Sequence, residues 1–196
     1  MQILISSHIN YYISTLPPLL ESLKVSGVPD DNITIVVGGS PSASFDNNIN
    51  FVTYNHFEYS SLRWIAEQRI KPEFVTLLHD TCTVLPDFWN NVKDISTLTR
   101  MIPLDNCNIG VYPISNILGD LSIIKTINNK QSAMLHDGFI FNRFPFCKSF
   151  GSTKIDGGLS NIYGTNTIRY KEIYPDMGII KYRANNGKQS KPITIL

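Results

Sequence analysis

The chain reads as an α/β single domain built on one mixed, mostly parallel sheet flanked by helices, Rossmann-like in layout. Three observations predict this. Short runs of strand-forming residues alternate with segments of helical periodicity through the first half. One run, Phe74-Val75-Thr76-Leu77-Leu78, is nearly continuous in apolar residues, as a strand covered on both faces must be. That run ends in His79-Asp80-Thr81, polar groups at a strand's carboxyl end, the edge where open α/β sheets hold their ligands.

Residues 2–9 are a strand ending in Ser6-Ser7-His8, a second set of small polar groups at a carboxyl end. Residues 11–25 place Ile13, Leu16, Leu19, Leu20 and Leu23 at helical spacing, with Pro17 and Pro18 tolerable only near the first turn; Gly27 and Pro29 end the helix. Residues 32–37 are the next strand, left through Gly38-Gly39-Ser40-Pro41, where two glycines allow a close ligand or a positive φ. Neither GxGxxG nor GxxxxGKS/T is present, so this is a weak nucleotide signal or an ordinary sharp turn. A polar loop at 47–50 leads to a short strand at 51–54, and a helix at 59–70 carries Leu62, Ile65 and Ala66 on one face. Arg63 stands in its first turn against the dipole preference, either solvated or facing a phosphate at the helix start.

After the central run, residues 86–95 are an amphipathic helix with Phe88, Trp89 and Val92 inward, and 108–114 are a strand. A loop at 116–120 ends in Gly119-Asp120, where Asp120 is a helix cap or a carboxylate of the site. His136-Asp137-Gly138 opens a strand at Phe139-Ile140-Phe141, so Asp137 is a turn residue or touches a bound hydroxyl. Small polar residues from 147 to 163 read as a mobile loop or lid in which Asp156 is a solvated acid or reaches a cleft. Residues 167–173 are a last strand, 174–184 close the domain through Pro175, Asp176 and Gly178, and 185–196 are a strap or tail.

Asp80 on a rigid strand end, with His79 beside it, suits a divalent cation carrying a phosphorylated ligand, which makes this a metal and nucleotide site. Equally, Asp80 or Asp87 would cap the helix that starts near Phe88.

Composition narrows the classes. A chain of 196 residues with 42% hydrophobic and 11% aromatic content supports one globular core, and no apolar run reaches membrane-crossing length, so no membrane span is expected. A net charge of +1, from 17 basic and 16 acidic residues, offers no field to gather nucleic acid. Cys82, Cys107 and Cys147 are far apart with no CxxC pair, so they read as reduced thiols of a cytoplasmic protein. The amino terminus lacks the basic residues of a secretory signal.

This order of elements resembles the nucleotide-sugar-dependent glycosyltransferases of the GT-A fold over roughly residues 2–183. The residues that carry it are Ser6-Ser7-His8, the turn Gly38-Gly39-Ser40, the helix with Arg63, the segment Leu77-Leu78-His79-Asp80-Thr81-Cys82, and Gly138 with residues 139–143. The resemblance implies a nucleotide-binding half at about 1–95 and an acceptor-side half at about 96–196. It implies hexosyl or deoxyhexosyl transfer from a nucleoside diphosphate sugar to a glycan or other hydroxyl acceptor. Ser6, Ser7, His8, Gly38 and Gly39 would hold the nucleoside, Arg63 and His79 would assist at the diphosphate, and Asp80 with Cys82 would take the place of Asp-x-Asp around Mn²⁺ or Mg²⁺. A thiol is a poor ligand for those hard ions, which prefer oxygen. The acceptor proton would fall to Asp156 or Asp137, then Asp120. The short length is similar to that of compact glycosyltransferase domains of large DNA viruses, which implies the host cytoplasm.

Two other classes share these residues. A catalytically silent sugar-nucleotide or glycan-binding module would use the same cleft without a metal, and Cys82 favours it. A metal-dependent phosphohydrolase is suggested by His79-Asp80, although four histidines, His8, His56, His79 and His136, are few for a site that assembles several ligands.

Overall fold

The computed structural model describes residues 1–102, 109–143, 147–156 and 168–184; at 102, 130, 137–142, 156, 168–170 and 184 the description is of the backbone. In chain order the strands are β1 (Gln2–His8), β2 (Ile33–Gly38), β3 (Ser44–Asp46), β4 (Ile49–Phe51), β5 (Phe74–His79), β6 (Cys82–Val84), β7 (Thr99–Ile102), β8 (Gly110–Pro113), β9 (Lys148–Gly151), β10 (Thr153–Asp156), β11 (Ile168–Tyr174) and β12 (Ile179–Ala184). The helices are α1 (Tyr12–Val25), α2 (Tyr59–Glu67), α3 (Phe88–Val92), α4 (Ile114–Ile124) and α5 (Lys130–Arg143).

Alternation along the strands builds the layers. In β1, Ile3 and Ile5 enter one core and Leu4 the other; β2 repeats this with Ile35 and Val37 against Val36, and β5 with Leu78 against Val75 and Leu77. Strands buried on both faces must lie between two covering layers. The first layer holds Leu16, Leu19 and Leu23 of α1, Phe88 and Val92 of α3, and Tyr174 and Ile179 of the last two strands. The second holds Leu62 and Ile65 of α2, Ile117 and Ile124 of α4, and Ala133 of α5. Each fully buried Leu or Ile contributes about 1.5–3 kcal/mol, so the two cores together make β1, β2 and β5 the rigid frame.

The sheet between these layers runs β3-β4-β2-β1-β5-β8-β7-β9. Its run from β4 through β2 and β1 to β5 is parallel, as is β7 with β9, while β8 is antiparallel to both neighbours and β3 to β4. A mixed α/β fold with a mostly parallel sheet is thus observed as expected. A second, antiparallel sheet runs β10-β11-β12-β6. The chain leaves the first sheet at His79 and enters the second at Cys82, so a strand, not a capped helix, follows Asp80.

Four expectations are corrected. Residues 116–120 are not a loop but part of α4, whose Ile114, Ile117, Leu121 and Ile124 keep helical spacing; their burial outweighs the roughly 1 kcal/mol that a mid-helix glycine costs. The Asp137-Gly138 turn and strand at 139–141 are instead helical backbone of α5, a local turn signal overridden by a helix of 14 residues. Residues 148–156 form β9 and β10 rather than a loop, because each finds a partner, β7 and β11, distant in sequence. Pro17 and Pro18 sit in the second turn of α1, not the first. The remainder of the expected loop, 157–163, and the tail at 185–196 lie outside the described residues, as does Cys107. Among the described residues no helix is long and apolar enough to cross a membrane.

Candidate functional site

In the sheet, β1 has β2 on one side and β5 on the other, and the connections run outward in opposite senses from β1. That makes the β1/β5 boundary a topological switch point, where a crevice opens beyond the carboxyl ends of parallel strands. The register sets Ser6 beside His79 there. Ser7 shares the face of Ile3 and Ile5 and so looks toward α1, where Thr15 lies in the first turn. These residues converge on Asp80: its Oδ2 accepts the Ser7 hydroxyl at 2.5 Å and the Thr15 hydroxyl at 2.8 Å, and its backbone N–H donates to the Ser6 carbonyl at 3.1 Å. Short hydroxyl-to-carboxylate bonds of this kind are charge-assisted and hold the carboxylate in one place.

Around Asp80 lies a cleft of about 240 Å³. Its base is Ser6, Ser7, His8, His79, Asp80 and Thr81; one wall is Asn10 and Tyr11, the other Asn55, Phe57 and Glu58. Phe57 takes φ 55°, a left-handed conformation costly for a bulky residue. It is held there by its N–H donating to the Asn55 side chain at 3.1 Å and its carbonyl accepting the Ser6 hydroxyl at 3.4 Å, and its ring stays 39% exposed.

The two glycines of the β2 turn act behind the cleft. Gly39 has φ 75°, and a Cβ on it would stand 2.7 Å from His8 Nε2; one on Gly38 would stand 2.9 Å from the Ser60 hydroxyl. They seat His8 and α2 and do not line the cleft. His8 accepts the Asn10 backbone N–H at Nδ1, 3.2 Å away, which places the ring proton on Nε2. Burial holds its pKa below the ordinary 6.5, against the pull of the Asp80 charge.

Lys181 does not itself line the cleft; it stands behind the lining and reaches two residues of it, His79 and Thr81. It lies on β12 opposite Cys82 of β6, is 5% exposed, and donates from Nζ to His79 Nδ1 at 2.9 Å and to the Thr81 hydroxyl. A nitrogen that accepts from an ammonium carries no proton, so His79 bears its own on Nε2.

Several expected site residues stand elsewhere. Cys82 is fully buried in the first core with Val84 and Phe88, and burial pushes its thiol pKa up, so it is a core thiol and not a metal ligand. Arg63 lies 3.8 Å over the Tyr54 ring, donates to His56 Nε2 at 2.7 Å and pairs with Glu67 at 3.2 Å; it braces α2 and does not line the cleft. His56 in turn donates from Nδ1 to the Ile127 carbonyl at 2.6 Å. The Tyr54 hydroxyl beside this cluster is pushed up to about 12, by burial first and then by Glu67, against Arg63. Asp120 is 1% exposed within α4 and is ion-paired with Arg143, so its carboxylate is committed to structure. Asp137 and Asp156 fall on α5 and β10, and their side chains lie outside the described residues. Sequence reasoning missed Asn10, Tyr11, Asn55, Phe57, Glu58 and Lys181. Positive φ at Phe57 and the β12 register have no local sequence signal, though Asn10 and Tyr11 directly follow the strand end.

The donor set fits a protein-held Mn²⁺ or Mg²⁺ poorly. Oδ2 of Asp80 already accepts two hydroxyls, Cys82 is in the core, and Nδ1 of His79 is taken by Lys181. Among the described residues no three His, Cys, Asp or Glu side chains are grouped to share one ion. Among the described lining residues a hard cation asking for six or more oxygens finds two carboxylates, Asp80 with Oδ1 left over and Glu58 on the wall, and would have to draw most of its oxygens from elsewhere.

No family model matches the chain, and no curated protein matches it. Solved structures similar to it include the galactosyltransferase LgtC in complex with donor and acceptor sugar analogs, at 13% identity and TM-score 0.44, covering 71% of this chain and 70% of that one. Another is S. aureus TarS 1–349, at 9% identity and TM-score 0.47, covering 71% of this chain and 56% of that one. A longer TarS structure is covered over 34% of its length, so this chain spans only part of the TarS proteins.

Proposed function

We propose that the chain is a glycosyltransferase that lays a nucleoside diphosphate sugar across the carboxyl ends of β1 and β5 and passes the sugar to an acceptor hydroxyl. The observation that carries this reading is the switch-point cleft, the place where an α/β sheet holds a nucleotide, with a clamped carboxylate at its base that offers an acceptor to a sugar hydroxyl. Phe57 and Tyr11 offer aromatic surface for a base. Asn10, Asn55 and Ser6 offer the hydroxyl and amide partners that a ribose needs. The family resemblance of the sequence supports the reaction class, and a hexosyl or deoxyhexosyl donor is its finer form.

In the reaction the bond from the anomeric carbon to the β-phosphate oxygen breaks and the acceptor oxygen bonds to that carbon. The acceptor proton passes to a carboxylate, a contribution worth about 10²–10⁴-fold. Asp156 and Asp137 remain the proposed bases, and Glu58 joins them as the carboxylate on the cleft wall. Oδ1 of Asp80, left over by Ser7 and Thr15, accepts a donor hydroxyl. The metal assistance implied by the resemblance does not enter this reading.

A panel of nucleoside diphosphate sugars, followed by nucleotide release and sugar transfer, tests it. One donor is expected to bind and to lose its sugar to an acceptor, with Asp80→Asn lowering transfer about 10²-fold or more. Binding without any sugar release would instead assign a silent binding module, and phosphate release without acceptor a phosphohydrolase.

A further inference from the structure

We propose that Lys181 is the resident cation of this cleft, meeting the diphosphate of the bound nucleotide in place of a divalent metal. The inference rests on the diphosphate reading above and deepens it. A pyrophosphate needs positive charge opposite it, and the donor set around Asp80 is short of metal ligands, as described. The second sheet supplies what is missing. Lys181 is nearly buried, and burying an ammonium is costly unless an anion compensates it.

An acid is at hand within its own sheet. Glu172 stands directly across from Lys181 on β11, fully buried, yet forms its ion pair with Arg183 at 2.6 Å. Lys181 reaches the other way, to His79 and Thr81, both neutral acceptors and both lining the cleft. An ammonium has three N–H donors, and among the described residues these two acceptors account for two of them. The third is the one offered to an oxygen of the diphosphate. His79 and Thr81 act as its positioning residues, and the backbone N–H of Tyr182 donating to the Thr81 carbonyl at 2.9 Å holds β12 against this corner.

The test uses the full chain with UDP, GDP, ADP, CDP and TDP, titrated calorimetrically in EDTA and again in Mn²⁺, beside the parent nucleoside of whichever diphosphate binds. The expected result is a diphosphate whose Kd differs by less than about threefold between the two conditions. Lys181→Met should weaken it by about tenfold or more, and Lys181→Arg by clearly less, while the nucleoside binds wild type and both variants alike. Tightening by about tenfold or more with Mn²⁺, or Lys181→Met binding diphosphate as wild type does, overturns the proposal while leaving the nucleotide cleft intact. Absence of binding by every diphosphate overturns the cleft reading and this proposal together. Should Lys181→Met fail to fold, as judged by its thermal transition, Lys181→Gln and Thr81→Val replace it; the second releases the ammonium from one holder, and diphosphate affinity unchanged in both overturns the proposal.

Discussion

His8 and Asp80 report on each other. Burial lowers the His8 pKa from 6.5 and the Asp80 charge opposes that fall. Removing the charge leaves burial unopposed, so Asp80→Asn should lower the His8 pKa further, read from its imidazole resonances in an NMR titration; a rise would show that another group sets it. Thr15→Val should loosen Asp80 by removing one of two hydroxyl donors, weakening nucleotide binding by about 0.5–1.5 kcal/mol in a titration at fixed pH. At this scale Ser6, Ser7, His8, His79 and Asp80 were legible because each sits at the end of a run whose strand character is local. Lys181 was not legible. A lysine two residues into a late strand looks solvated until the register places it opposite Cys82.

At the scale of elements, α2 is a brace. Arg63→Ala removes a cation over Tyr54, a bond to His56 and a pair with Glu67, so it should cost about 1–2 kcal/mol in chemical denaturation and leave nucleotide affinity unchanged. A loss of affinity instead would restore the phosphate role that its place in the helix suggested. At Gly110 β8 runs hard against β7: an added Cβ would run into the Thr99 carbonyl oxygen, which is backbone and cannot swing away. Gly110→Ala should therefore cost more than about 2 kcal/mol, visible as a lowered denaturation midpoint. Elements with their own periodicity, such as β1, α1, β2, α2 and β5, were readable almost to their ends. Strands β3, β7, β9 and β10 were not, because each is only three or four residues long and owes its existence to a partner.

For the whole molecule, acid is the expected weakness. His136 is buried against the Tyr59 ring, and among the described residues neither ring nitrogen finds a hydrogen-bond partner; burial lowers its pKa, Asp120 opposes, and Arg143 adds to the lowering. His8 is lowered as well. For both, the unfolded chain binds more protons below pH 6.5, so stability is fully present above that value and declines as pH falls toward each folded pKa. The slope is at most about 1.4 kcal/mol per pH unit for His136 and smaller for the more exposed His8, where solvent screens the effect. His136→Phe, which among the described residues gives up no hydrogen bond, should flatten that decline in thermal melts between pH 7 and 5 (roughly the range over which histidines titrate). An unchanged slope would assign the acid sensitivity elsewhere.

Thr81 alone separates Asp80 from the first residue of the antiparallel sheet. Pleating reverses the direction of every side chain at each step, so a one-residue insertion at this joint would turn Cys82 out of its oily surroundings and carry β12 past its docking point. The spacing between the acid and the lysine is thereby written into chain length at a single joint, which can neither grow nor shrink while the two opposite charges keep their places.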